Sequence, residues 1–150
     1  MVNENKDLRS HCPVNFGLEA FGDKWSLLIL RDIVFRAKCT YGDFLKSEEG
    51  FSTNILAARL EKLIAEGILE KRPQETDARK DDYVLTQKGL DLIPVLFEIM
   101  VWSSKYDPES EARRIPGLIE AITKDNRQVS REAIEMVKAR KPLLGAYLRF

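Results

Sequence analysis

The chain holds one histidine, His11, and two cysteines, Cys12 and Cys39, in 150 residues. His11 has no partners at metal-ligand spacing, and the cysteines fit neither a disulfide framework nor a zinc site. There is no Gly-rich phosphate loop and no nucleophile motif, so an enzyme would lack visible machinery. We expect no enzymatic activity, no metal and no cofactor. No apolar run approaches the roughly 20 residues that a bilayer-spanning helix needs. The N-terminal "MVNENKDLRSHCPV" lacks the apolar core of a signal peptide, which places the expected location in the cytoplasm with no membrane partner. Internal repeats and low-complexity tracts are also missing. Net charge is zero, which taken alone argues against a nucleic-acid partner.

That zero conceals an asymmetry. Residues 1–112 carry 15 Lys+Arg against 20 Asp+Glu, whereas 113–150 carry 9 against 4. With 44% hydrophobic and 32% charged residues the composition is that of a globular protein long enough to bury a core. The basic tail, Arg113, Arg114, Lys124, Arg127, Arg131, Lys138, Arg140, Lys141 and Arg149, is interleaved with "IPGLIEAI", Ile134, Val137 and "LLGAYLRF". That is too apolar for a disordered arm and predicts packed helices.

The stretch that organises the chain is "FSTNILAARLEKLIAEGILEKR", Phe51 to Arg72. Ser52 is placed to cap a helix, with Phe51 and Leu56 spaced as a hydrophobic staple and Gly67 as its C-terminal stop. Leu56, Leu60, Leu63 and Ile64 share one face at about 100° per residue. Asn54, Ala58 and Lys62 hold the opposite pole, with Glu61 and Ala65 beside them. An amide, a methyl and one ammonium in line make a face narrow enough to lie in a groove.

Taken in order, residues 1–11 read as a frayed, flexible N-terminus. Pro13 opens a short helix to Phe21. Asp23 caps the next, whose buried stripe is Trp25, Leu28, Ile29 and Ile33, and Thr40 caps a third, "YGDFLKSE", with Tyr41, Phe44 and Leu45 on one side. Gly50 turns the chain into the Ser52 helix, which gives two helices joined by a tight turn, the second longer. A strand Ile68–Arg72, a polar loop "PQETDARKD" and a strand "YVLT" predict a hairpin. Thr86 caps a helix to about Tyr106, with Ile93, Leu96, Phe97, Met100 and Val101 on its apolar side and Pro94 set to bend or break it. Beyond it "GLIEAIT" and "SREAIEMVKAR", the latter capped by Ser130, predict two more helices. The fold class is mainly α with a small β-hairpin (α+β). Its segments are a flexible 1–11, a helical domain with the hairpin over 12–106, and a helical C-terminal extension over 107–150.

This order resembles a winged helix-turn-helix domain. At the residue level four blocks resemble the HxlR-type family of bacterial and archaeal transcription regulators. They are "CPV" at Cys12–Val14, "GDKWSLLILRDI" at Gly22–Ile33, "S-x-x-x-L-x-x-R-L-x-x-L" at Ser52–Leu63, and "YVLTQKGLDLIPVL" at Tyr83–Leu96. The resemblance covers about Cys12 to Tyr106. It implies a homodimer built by the N-terminal segment and the helix after the wing, binding a pseudo-palindromic double-stranded operator. The two recognition helices would then lie about 34–36 Å apart, one turn of B-DNA. Exposed recognition positions are often charged or polar in the family, whereas here they include Asn54 and Ala58.

On that reading Asn54 takes adenine through N6 and N7, and the Ile55 side chain or the Ala58 methyl meets a thymine methyl. Ser52, Thr53, Arg59 and Lys62 hold phosphates, which fixes register without reading sequence. Arg79 and Lys80 occupy the wing tip, beside Asp77, Asp81 and Asp82. The bland alternative is a solvated surface. From Phe51 to Asp82 there are six basic and seven acidic residues. Non-specific affinity is therefore expected to be poor, with tight binding requiring both half-sites. In several members of the family a cysteine at the "C-P-V" position senses electrophiles or oxidants, so the resemblance makes Cys12 the candidate sensor, with a small-molecule effector the other route to regulation. The alternative for Cys12 is an unreactive thiol in a dimer interface. Trp25 and Trp102 read as core or dimer packing rather than ligand stacking. A competing class is a winged-helix module for protein contact without DNA binding, which an acidic front would suit. It calls for exposed apolar anchors on the Asn54–Ala58–Lys62 face, and Ile55 alone is not enough.

Overall fold

The computed structural model describes residues 7–147. Most of the 1–11 segment read as frayed, and Arg149 of the basic tail, lie outside the described residues. Within them the chain forms eight α-helices, one 3₁₀ turn and a two-stranded antiparallel sheet.

The helix starts follow local chemistry. Helix α1 (Pro13–Phe21) has its proline in the first turn, where the missing N–H costs nothing. In α2 (Lys24–Arg36), Asp23 accepts from Ser26 N at 2.9 Å and from Ser26 Oγ at 2.7 Å. Helix α3 (Tyr41–Leu45) starts in a reciprocal capping box between Thr40 and Asp43. Ser52 Oγ accepts from Ile55 N at 3.2 Å to start α4 (Thr53–Ala65). Gly67, at φ 72°, ends α4 in the left-handed conformation, and Ile68 N returns to Leu63 O at 2.9 Å.

The wing pairs β1 (Leu69–Pro73) with β2 (Asp81–Leu85), register Leu69↔Leu85 to Pro73↔Asp81. Both strands are shifted from expectation, β1 by one residue and β2 by two at its start. Thr86 leaves the strand because its hydroxyl is committed to Gly67 O and accepts from Gly89 N at 3.2 Å. It thus caps α5 (Gln87–Leu90). Gly89 is required there, since a Cβ would lie 2.3 Å from the Ile68 carbonyl oxygen.

The helical stretch from Thr86 to Tyr106, which Pro94 was expected to bend or break, is broken at Asp91–Leu92. Pro94 falls in the first turn of α6 (Ile93–Tyr106), which removes the clash a mid-helix proline would create. After a 3₁₀ turn (Glu111–Arg114), α7 (Pro116–Lys138) and α8 (Leu143–Tyr147) confirm that the tail is helical. Asp125 interrupts α7 with φ −156°, ψ 85°, and its carboxylate accepts from Gln128 N at 3.0 Å. Asp125, not Ser130, therefore caps the second half. Ser130 is buried inside the helix and donates to Asn126 Oδ1 at 2.8 Å.

The chain divides into two compact units. The first comprises the residues up to Asp32 together with Lys38–Leu90, and the second comprises Ile33–Ala37 with the chain from Asp91 onward. The division falls at Leu90–Asp91, inside the segment 12–106, because α6 packs on α7. In the first unit Ile29, Leu30, Phe44, Leu56, Leu60, Leu63, Ile68 and Leu69 are almost fully buried. Trp25 and Leu28 are half-buried rather than core. Trp25 nonetheless packs on Phe51 at 5.0 Å between ring centroids, which fixes the staple residue of α4. The second unit is built on Ile93, Leu96, Phe97, Leu118, Ile122, Val129, Ala133 and Leu143, with Phe35 5.9 Å from Phe97.

Candidate nucleic-acid interface

Helix α4 presents what its sequence pattern implied. Leu56, Leu60 and Leu63 face inward, and Ser52, Thr53, Asn54 and Ala58 are exposed, with Ile55 half-buried. Three contacts hold this helix in place. Phe51 packs on Trp25 as above. The Tyr41 hydroxyl donates to Thr53 O at 3.2 Å, a role that an apolar-face reading of Tyr41 did not anticipate. The third is a charged cluster inside the first unit.

At that cluster Asp32 is fully buried. Arg31 binds it at 2.8 Å through Nη2, Lys38 Nζ lies 3.3 Å away, and the Ser47 hydroxyl donates to its Oδ2. Arg31 also forms a two-pronged pair with Glu49, while Lys38 Nζ donates to Ser47 Oγ at 3.0 Å. Burial disfavours the Arg31 cation, but its bonds to Glu49 and Asp32 outweigh this and raise its pKa. Ser47 and Glu49 belong to the turn between α3 and α4, which closes at Gly50, φ 70°. The cluster therefore ties the end of α2 to the turn that aims α4. Its signal in the sequence was Arg31–Asp32, two charges inside the apolar run "LLILRDIVF".

Arg59 and Lys62 are placed differently from the other candidates. Arg59 Nε binds Asp23 Oδ1 at 3.0 Å, and Lys62 Nζ lies 3.6 Å from Asp23 Oδ2. Partial burial pushes the Asp23 carboxyl up, yet bonds from Ser26 and Arg59 hold it below its ordinary value. One carboxylate thus caps α2 and engages both cations of α4.

At the wing tip Arg79 has a side chain 91% exposed, and Lys80 is exposed beside it. The acidic neighbours have internal duties. Asp77 accepts from Arg79 N at 3.1 Å and from Arg79 Nε at 3.2 Å, closing the turn, and the Arg79 bond leads the causes that lower its pKa. Asp81 pairs with Lys71 at 3.6 Å, and Asp82 accepts from Gln74 Nε2 at 2.8 Å. Cys39 extends the wing by one bond, its carbonyl accepting from Tyr83 N at 2.7 Å.

Cys12 is exposed at the N-cap of α1. The backbone N–H groups of Asn15 and Val14 lower its thiol pKa. No group of His, Cys, Asp and Glu among the described residues is arranged to hold a metal. None of the described helices is long and apolar enough to cross a membrane.

A helix-turn-helix followed by a two-stranded wing defines the class: a winged helix-turn-helix protein. The sequence profile of the HxlR-like helix-turn-helix family matches residues 20–111, and the chain belongs to that family. Among its relatives is an HTH-type transcriptional regulator of Mycobacterium bovis, Mb3122, 32% identical over 98 residues, 65% of this chain and 61% of that protein. The chain thus spans about three-fifths of the length of this relative. The solved structure of PA1607, described as a transcription factor, matches with TM-score 0.62 and 38% identity over 69% of this chain and 72% of that one. A MarR-family regulator from Porphyromonas gingivalis matches with TM-score 0.55 and 26% identity, covering 69% of this chain and 99% of that one.

The Asp32 cluster makes a stability prediction. Asp32→Ala removes the shared buried partner of two cations that are only 22% and 17% exposed. Breaking a buried pair costs about 3–5 kcal/mol. The lower end applies here, because Arg31 keeps Glu49. Glu49→Gln, on the more exposed arm, should cost no more than about 1 kcal/mol. Urea denaturation of both variants checks this, and equal losses would overturn the assignment of Asp32 as the centre.

Proposed function

We propose that this chain is a sequence-specific, DNA-binding transcription regulator that acts as a homodimer on a pseudo-palindromic operator, and is not an enzyme. The observation that carries the reading is the exposed Ser52–Thr53–Asn54–Ala58 face on a helix fixed by Trp25, Tyr41 and the Asp32 cluster. A protein-contact helix would need large exposed apolar anchors, and among the described residues α4 has none. Asn54 is the base reader, with Ile55 and Ala58 against thymine methyls. Ser52, Thr53, Arg59, Lys62, Arg79 and Lys80 meet phosphates.

A selection of genomic fragments retained by the protein supplies the operator. Asn54→Ala should then relax preference at one position per half-site, by roughly 1–3 kcal/mol. Arg79→Ala should weaken all sequences alike and shallow the salt dependence by about one unit per neutralised phosphate. An unchanged ranking of operator variants after Asn54→Ala would refute the orientation assigned to α4.

The dimer is supported by where apolar surface remains uncovered. Among the described residues the large exposed hydrophobics are Val14, Phe16 and Leu18 on α1 and Val95, Ile99, Trp102 and Tyr106 on α6. The α6 set recurs at i, i+4, i+7 and i+11, opposite the buried Ile93, Leu96 and Phe97. A helix apolar on both faces is expected to be covered on both. Trp102, 65% exposed, stacks on Tyr106 at 5.2 Å and presents the largest ring of that stripe. Sedimentation at micromolar concentration should show a dimer, and Trp102→Ser should shift it toward monomer. A wild-type monomer that binds the operator tightly would end this part of the reading.

Regulation through Cys12 is supported by its exposure and lowered pKa at a helix start. Iodoacetamide at pH 7 should modify Cys12 faster than Cys39 and faster than a cysteine in an unstructured peptide, and alkylation should change operator affinity. Reaction at the peptide's rate, or alkylation without effect on binding, would leave Cys12 as a packing residue.

A further inference from the structure

We infer that Asp23 is an internal counter-anion that engages the phosphate-binding cations of the recognition helix and weakens their hold on DNA. The inference rests on the DNA-binding reading above. Asp23 sits outside α4, yet both cations of that helix turn toward it: Arg59 Nε at 3.0 Å and Lys62 Nζ at 3.6 Å. Its two oxygens also receive the Ser26 backbone and hydroxyl donors at 2.9 and 2.7 Å. The cap therefore locks the carboxylate in the position where it meets Arg59. The side chains of Arg59 and Lys62 are 33% and 37% exposed, open enough for a phosphate to reach them.

A phosphate and a carboxylate compete for the same donors. A guanidinium has five N–H groups, and the Asp23 contact uses Nε. In the free protein the pair cancels charge on the surface that a polyanion would approach, and this reduces the number of counterions a duplex can release on binding. Any duplex contact made through Arg59 or Lys62 must then exceed the interaction with Asp23. The six basic and seven acidic residues between Phe51 and Asp82 already predicted poor non-specific binding. Asp23 lies outside that count and adds to the effect at the helix itself.

The test uses Asp23→Asn, because asparagine caps a helix as well as aspartate does. The control for the one-unit change in net charge is Glu48→Gln, an exposed acid in the turn before α4. Fluorescence titrations use a mixed-sequence duplex of about 30 base pairs, long enough for two half-sites. Freeing one phosphate contact in each protomer of the dimer steepens the log K against log salt slope by about 1.8, or about sixtyfold in affinity near 0.1 M salt. We expect Asp23→Asn to bind this duplex about sixtyfold tighter than Glu48→Gln does. In an Arg59→Ala/Lys62→Ala background the substitution should gain no more than the control. Asp23→Ser, a second good cap, should behave like Asp23→Asn and covers the case in which the asparagine protein melts early. Binding no tighter than the control, or a gain that persists without both cations, overturns the inference. If the wild-type protein retains no duplex from a genomic selection, the DNA-binding reading itself has failed, which is a separate result.

Discussion

A carboxylate with no exposure to water is the constraint from which the interface follows. Asp32 sits among two cations and a hydroxyl, and every one of those groups must be held in place for the burial to be tolerable. Arg31 precedes it on α2, Lys38 follows the end of that helix, and Ser47 and Glu49 lie in the turn before α4. Satisfying Asp32 therefore fixes the path of the chain into the recognition helix.

Apolar pairs complete that positioning. Trp25 against Phe51 anchors the residue before α4, and Phe44 against Tyr83, centroids 6.2 Å apart, joins α3 to the wing. Gly89 lets α5 close on the Ile68 carbonyl, which a methyl would prevent. The wing and the recognition helix are thereby held by one set of contacts within the first unit. In the second unit Asn126 plays the corresponding part, donating to Pro94 O at 3.2 Å and to Glu98 Oε1 at 2.7 Å, so that α7 is pinned to the start of α6.

Local signals were legible in the sequence. The caps at Asp23, Thr40 and Ser52, the proline at the start of α1 and the glycine stop at Gly67 all act within four residues, and the structure has each of them. Periodicity gave the buried face of α4. What escaped was long-range and polar. Ser47 is 15 residues from Asp32, and Arg59 is 36 from Asp23. An ion pair across such a distance leaves no periodic trace, so Arg59 and Lys62 looked like outward cations. Two errors were local. Serine favours a cap position, so Ser130 reads as one in the sequence, whereas Asp125 makes the turn and Ser130 finds its partner inside the helix. The second strand ends one residue short of its expected bound because Thr86 can be read as strand or as cap, and its hydroxyl bonds decide for the cap.

Formal charge misled in the same way. A count of acids and bases treats each as facing solvent, and on that basis the wing looks poorly suited to DNA. In the structure Asp77 closes the tip turn, Asp81 pairs with Lys71, and Asp82 takes the Gln74 amide. Asp23 and Asp32 are likewise spent on caps and buried cations. The surface that remains carries Arg79 and Lys80 at the tip, the exposed start of α4, and Arg59 and Lys62 beside Asp23. A neutral chain can therefore present a surface for DNA, because much of the acid that balances its charge is turned toward its own backbone and side chains.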